Sequence, residues 1–475
     1  MKKGFMGGIT DVVSDNELHK IHEASIKILE DIGICSESDI ILDIFKREGA
    51  NVDLENRVIR LDRDMIETAI RLAPSSFVFH GREPQYDLLL EPGRIYYGMG
   101  GSPEPHIWDY NLGQKRGPIK DDVINIARLG HVLDNVDFLG TFCCAGDMPK
   151  DTQLYHEYEA FLSNSTKPFP YSAPGREATI RFIEMASVAS GGESELRRRP
   201  SIAIFTETVS PLKVGQYSDG TVEAVEFGIP VIVALAPMMG ATSPTTLAGT
   251  LAQSNAEALF GVVLTQLLKP GAPVMYGPGT GTFDMGTLQY TYASPEQTLS
   301  RAVVAKLSRF YQIPSYNLGG AAEAKLPDAE AASQATMGML MNALSGITMT
   351  KVMGTLASGL YGAPEMLVIC DEIARMVKRI LRGFSVTDET LAVDAIKEVG
   401  FYKDFISHEH TGKHFRNEFY FPNLFKRQSI GEWEQEGKKS ITDVAHEKYK
   451  DIIANAGPVK LPNGAEEELK KIIEK

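Results

Sequence analysis

A chain of 475 residues with 43% apolar content is too long for one minimal domain and can bury a large core, and its formal net charge of −14 at pH 7 argues against a general nucleic-acid binder. No run of about 18 apolar residues is present, so no membrane-spanning helix and no membrane partner is expected. The opening MKKGFMGGITDVVSDNE lacks an apolar stretch, which argues against a secretory signal, and the four cysteines (Cys35, Cys143, Cys144, Cys370) lack a framework spacing and fit a reducing cytoplasm.

In chain order, residues 1–93 read as an N-terminal helical extension. Ser14 or Asp15 caps ELHKIHEASIKILEDIGI, whose Leu18, Ile21, Ala24, Ile28 and Leu29 share one face. A second helix, DIILDIFKREGA, ends at Gly49, a third, DRDMIETAIRLA, stops before Pro74, and FVFHGR reads as a strand. From Arg94 a rhythm of β-rich run, turn and helix sets in. The runs are Ile95–Gly98, Val136–Cys143, Pro168–Ser172, Ile202–Glu207, Val231–Ala236, Val274–Gly277, Pro314–Leu318 and Thr348–Met353. Helical stretches such as ATIRFIEMASVAS and TTLAGTLAQSNAEALFGVVLTQLL lie between them, the latter stopping at Lys269-Pro270-Gly271. Eight such units predict an α/β fold, a (β/α)8 TIM barrel over residues 94–383; an open doubly wound sheet is the competing architecture. The seventh run leads into Gly319-Gly320, a polar loop and a helix opening near Pro327-Asp328. Beyond Met353, SGLYGAPEMLVICDEIARMVKRILRGF reads as one long helix, interrupted at Pro364, and Thr387–Val399 as another. Residues 384–475 are expected to form a C-terminal helical segment packed on the barrel, its end from Ser429 charged and solvated.

In parallel α/β proteins ligands meet the chain at the C-terminal ends of the strands. Those ends carry Tyr97 with Gly98 and Gly100, Phe142, Tyr171, Phe205 with Glu207, Tyr276 with Gly279 and Phe283, and Tyr316 with Asn317. Such rings would form a cage for a cation, at about 0.5–2 kcal/mol each, or would fill barrel layers. The loop GPGTGTFDMG lacks the Lys-Ser/Thr end of a phosphate-binding loop, and Gly98, Gly100 and Gly101 run into Ser102, Pro103 and Pro105, against any dinucleotide fingerprint. His410 and His414 with Glu409 do not make the zinc-binding H-E-x-x-H order and suit a helix surface; no metal site is expected. His106 would reach a bound anion or be a plain loop residue; Cys143-Cys144 read as core. No nucleophile elbow or Ser-His-Asp order supports a hydrolase.

The stretch VMYGPGTGTFDMGTLQYTYASPEQTLSRAVVAKLSRFYQIPSYNLGGAAEAKLPDAEAA, with HEHTGKHFRNEF further on, resembles the trimethylamine methyltransferase family over nearly the whole chain. The resemblance implies a TIM barrel. Founding members carry pyrrolysine directly after the paired glycines of the seventh strand; this chain has Ala321 there. Members without pyrrolysine resemble corrinoid-dependent methyltransferases of quaternary amines, which implies transfer of an N-methyl group from glycine betaine to the Co(I) of a corrinoid (cobalamin) on a cognate partner protein, with release of dimethylglycine, in anaerobic one-carbon metabolism. Proline betaine, carnitine or γ-butyrobetaine are alternative substrates, and a non-catalytic betaine-binding barrel is an alternative function. On this reading Tyr97, Phe142, Tyr171, Phe205, Tyr276, Phe283 and Tyr316 surround the cation, and His106, Thr282 or Asn317 meet the carboxylate. Glu207 and Asn317 serve the chemistry, Glu207 by offsetting the ammonium charge. Gly98, Gly100, Gly279, Gly281, Gly319, Gly320 and Ala321 face the corrinoid. A homo-oligomer is expected, with no tightly bound metal in the chain itself.

Overall fold

Alternation of apolar residues with period two gives each short strand one face toward the barrel axis and one toward the helices. In the computed structural model, which describes residues 1, 5–8, 10–101 and 103–475, these strands close a ring. Lys2, Lys3 and Ser102 of the motifs above lie outside the described residues. The first strand (Arg94–Met99) runs parallel to the eighth (Met349–Met353). It meets the second position through a parallel bridge between Gly98 and Phe138. Leu139 N–H donates to Pro168 O (2.9 Å), linking second to third. The third (Phe169–Tyr171), fourth (Ile202–Thr206), fifth (Val231–Leu235) and sixth (Val274–Pro278) strands pair in parallel succession. A bridge from Tyr276 to Ser315 joins the sixth to the seventh (Tyr316–Leu318), which pairs with the eighth. Closure between first and eighth makes this a barrel and excludes the open sheet.

The inward residues Tyr96, Phe138, Ala203, Ile232, Met275 and Met349 form an inner core that the hairpin of Phe77–Phe79 and Leu88–Leu90 stoppers from below. The outward residues pack under the helices, of which Leu247–Leu268 is buried along most of its length.

Before the barrel lie the helices Asp15–Lys27, Asp39–Arg47 and Arg63–Leu72, capped by Ser14, Ser38 and Asp62. Three short strands accompany them: Ile34–Ser36, Asn51–Asp53 and Val58–Arg60. They share a sheet with Thr208–Val209 and Lys213–Val214, from the loop after the fourth strand. This sheet fixes the backbone immediately after Glu207.

The long helix expected after Met353 starts at Pro364 instead and runs to Leu381. Residues before it form the short strands Thr355–Leu356 and Tyr361–Gly362, because Gly354 and Gly359 adopt φ of +87° and +90°. The expected Thr387–Val399 helix is divided by Ala392, at φ +54°. The end of the chain departs from a solvated tail. Ile441–Asn455 packs on Pro364–Leu381 and Lys120–Val132, and His446 Nδ1 lies 2.8 Å from Glu365 Oε1. Ala465–Glu474 buries Leu469, Ile472 and Ile473 toward Gly175–Ser190. The charged residues that suggested solvation occupy the outer faces of these two helices. No helix among the described residues is long and apolar enough to cross a membrane.

Candidate active site

Above the inner core the strands open into a cavity of about 160 Å³ at their C-terminal ends. Alternation decides which side chains reach it. On the fourth strand Ala203 points inward, so Phe205 and Glu207 follow; on the eighth, Met349 is succeeded by Lys351. The seventh supplies Tyr316, whose ring meets that of Phe205 edge-on at 5.3 Å. Two inward glycines make the room. A Cβ on Gly277 would lie 2.6 Å from Val233 O and 3.0 Å from the Tyr316 ring, and one on Gly140 2.6 Å from Lys351 Cε.

A hairpin of Gly281–Asp284 and Gln289–Thr291 follows the sixth strand and brings Tyr290 and Tyr292 to the cavity, their rings 4.8 Å apart and edge-to-face. Tyr292 and Ala293 N–H groups donate to Glu323 Oε1, the latter at 2.7 Å, which ties the hairpin to the loop after the seventh strand.

Glu207 is exposed to the cavity mouth, yet the barrel rim crowds its carboxyl. This desolvation raises its pKa, and the charge of Lys351 opposes the rise only in part. Lys351, only 4% exposed, donates to Gly101 O (2.7 Å), and its Nζ lies 4.6 Å from the centre of the Phe205 ring. Burial lowers its pKa to about 8 against the raising influence of Glu104 and Glu207. Glu104 is buried, accepts from Thr355 Oγ1 (3.0 Å) and has its pKa raised well above the usual carboxylate range by desolvation.

Of the residues expected at the site, Phe205, Glu207, Gly279, Tyr316 and Asn317 come together on the cavity wall. The Asn317 amide is already engaged, donating to Pro278 O (3.2 Å) and accepting from Leu318 N–H (2.9 Å). Tyr97, Tyr171 and Tyr276 sit on the helix side of the wall. Tyr97 Oη donates to Met339 O (3.0 Å), Tyr276 Oη to Asn255 Oδ1 (2.7 Å), and Tyr171 packs on Tyr158 and Phe182. Each lies one residue away from an inward position, and one step along a strand changes sides. Phe142 is fully buried against Gly354 and Gly362. His106 belongs to an outer strand (His106–Asp109) paired with Tyr361–Gly362, off the cavity. Thr282 is bonded to Thr291 and to Ser294 Oγ (2.5 Å), and Phe283 lies opposite Tyr290 in the hairpin.

The glycine positions are mostly internal. Gly98 lies under the Phe138 ring, Gly100 against Thr141 O, Gly281 under Tyr290, Gly319 against Thr350 and Asn342, and Gly320 against Met353. Ala321 is 3% exposed. Apart from Gly279, on the cavity wall, these positions pack behind the cavity lining. Lys351, Glu104, Tyr290, Tyr292 and Ser172 were not singled out from the sequence, although a lysine inside the apolar run MTKVM was a signal that could have found one of them. His410 and His414 stack at 4.4 Å on Glu409–Glu418, and among the described residues no three His, Cys, Asp or Glu side chains gather for a metal.

The family described as trimethylamine methyltransferase (MTTB) matches residues 6–475. The chain belongs to that family. It is therefore a methyltransferase. A trimethylamine methyltransferase family member from Desulfitobacterium hafniense (strain DSM 10664 / DCB-2), named trimethylamine methyltransferase MttB, is 35% identical over 97% of this chain and 93% of its own. The glycine betaine methyltransferase of Desulfitobacterium hafniense (strain Y51) is 32% identical over 94% and 93%. The trimethylamine methyltransferase MttB of Methanosarcina barkeri (strain Fusaro / DSM 804) is 34% identical over 94% and 91%. Among solved structures, the Methanosarcina barkeri monomethylamine methyltransferase (MtmB) superposes with a TM-score of 0.50 at 14% identity, covering 97% of this chain and 100% of its own. The likeness to this structure bears on the family fold, a TIM barrel.

Proposed function

We propose that the protein transfers one N-methyl group of glycine betaine to the Co(I) of a corrinoid carried on a separate protein and releases dimethylglycine. The observation that carries this reading is the small ring-lined cavity with a carboxylate, Glu207, at its mouth. A cavity of roughly 150 Å³ holds a molecule the size of benzene, so about 160 Å³ suits a compact betaine better than carnitine or γ-butyrobetaine. Ala321 supports it further, because a quaternary nitrogen departs as a neutral amine without the activation a tertiary amine needs.

The rings and Glu207 hold the ammonium and orient one methyl toward the mouth. The acceptor's electron pair forms the new bond to that carbon while the C–N pair returns to nitrogen. Positive charge leaves the nitrogen in the transition state, so the cavity acts mainly by positioning and by excluding water. The unbridged cysteines fit a reducing cytoplasm for this chemistry. The exposed Phe384, Phe401, Tyr402 and Ile406 provide an apolar surface for self-association.

The test is an anaerobic assay with reduced corrinoid protein, following methyl-Co(III) by absorption and dimethylglycine by mass spectrometry. Glycine betaine is expected to give both products stoichiometrically. Turnover of trimethylamine alone, the second reading favoured by the 35% identical relative, would overturn the substrate assignment. Binding without turnover would favour a betaine-binding barrel.

A further inference from the structure

We propose that Lys351 recognises the carboxylate of the substrate, so that the cavity is a receptor for a zwitterion whose ammonium end lies toward Glu207. This rests on the betaine reading above and adds the group that selects betaines over simple quaternary cations.

The argument begins with what Lys351 lacks. An ammonium has three N–H donors. This one is buried, and among the described residues its protein acceptor is Gly101 O, at 2.7 Å. Among the described residues no ion pair joins it to a carboxylate, although the charges of Glu104 and Glu207 act on it. Glu104 is enclosed by protein, with Oε2 lacking a partner among the described residues, and desolvation raises its pKa well above the usual carboxylate range. Glu207 stands at the mouth and makes no ion pair among the described residues either. A buried charge with no carboxylate in hydrogen-bond reach among the described residues is costly, whereas a ligand carboxylate would supply one together with charge-assisted hydrogen bonds.

The placement excludes a simpler cation cage. Lys351 already occupies the neighbourhood of the Phe205 ring at 4.6 Å. A ligand ammonium is left the other rings of the wall, of which Tyr316 and Tyr292 feel the charge of Glu207. A tetraalkylammonium in the cavity would meet an unneutralised lysine. A molecule bearing a cation and a carboxylate a few bonds apart brings an opposite charge to each group. Gly140 keeps open the space that the lysine stem occupies.

The test measures binding of glycine betaine and of tetramethylammonium by calorimetry to wild type, Lys351→Met and Lys351→Arg. Lys351→Met is expected to weaken glycine betaine by at least about tenfold, the scale of a lost charge-assisted hydrogen bond, while tetramethylammonium binds more tightly. Lys351→Arg should restore part of the preference for betaine. Equal changes for both ligands, or unchanged betaine binding in Lys351→Met, would overturn the assignment. If Lys351→Met does not fold, wild type decides. Its affinity for betaine, and not for tetramethylammonium, should fall as pH rises past about 8, and parallel profiles would contradict the proposal. Glu104 and Glu207 face Lys351, and the hydroxyls of Tyr217, Tyr292 and Tyr316 lie around Glu207; their titration acts on both ligands alike. Wild type that demethylates betaine while Lys351→Met does so at the same KM defeats this assignment alone. Wild type that binds neither ligand defeats the betaine reading as well.

Discussion

Glu207 and Lys351 have opposite charges and opposite relations to the reaction. Glu207 attracts a full positive charge in the bound substrate and a smaller one in the transition state. It therefore stabilises the ground state more, and Glu207→Gln should raise KM by about tenfold while kcat holds or rises. A fall in kcat with unchanged KM, in steady-state kinetics, would contradict this role. The pH profile follows from the same pair. Glu207 must be ionised to hold the cation, and its raised pKa moves the acidic limb of kcat/KM upward. Lys351 must be protonated, and its lowered pKa of about 8 sets an alkaline limb that activity loses as pH rises through that value. A flat kcat/KM profile between pH 7 and 10 with glycine betaine would show that the charge of Lys351 in the free enzyme does not govern productive binding.

The hairpin from Gly281 to Thr291 is the element that completes the cavity; strand pairing with Met238–Met239 holds its first arm, and Glu323 anchors the backbone just after its second. Glu323 accepts from the backbone N–H groups of Tyr292 and Ala293. Removing it leaves both donors without their acceptor, at about 1–3 kcal/mol each. Glu323→Ala should lower the midpoint of thermal unfolding and raise KM, because Tyr290 and Tyr292 lose their fixed position. A variant with unchanged KM would show that the hairpin contributes nothing to binding. Legibility in the sequence divides at this scale. Seven of the eight β-rich runs were visible because buried parallel strands are continuous apolar stretches bounded by glycine and proline, while the second, Val136–Cys143, holds its place in the ring by a single bridge at Phe138. That same continuity hides the direction of each side chain. In RIYYGM nothing local distinguishes inward Tyr96 from outward Tyr97, and in VMYGP Met275 rather than Tyr276 faces the axis. The fourth strand was legible at its end because Phe205 and Glu207 both fall on the inward phase. Tyr290 and Tyr292 were hidden for another reason, since they reach the cavity by a hairpin and not by a barrel strand.

At the scale of the whole molecule, chain distant in sequence braces the barrel. The strands of the N-terminal segment join the loop behind Glu207, and the last two helices close over the outer helices on another side. Leu469, on the inner face of the final helix, is fully buried. Leu469→Ala should cost about 2–5 kcal/mol in urea unfolding while leaving the KM for glycine betaine unchanged, as the contact is remote from the cavity. A changed KM would couple the tail to the site. Phe401 and Tyr402 are 97% and 99% exposed, which suits a buried place in an assembly. A double substitution to glutamate should reduce the mass measured by light scattering, and an unchanged mass would place any subunit contact elsewhere.

The most direct measurement is a crystal structure of the protein with glycine betaine bound. The account predicts the quaternary nitrogen within about 6 Å of the Tyr316 or Tyr292 ring centres on the Glu207 side, and the carboxylate in hydrogen-bond contact with Lys351 Nζ. Betaine lodged outside the strand-end cavity, or turned with its carboxylate toward Glu207, would contradict it.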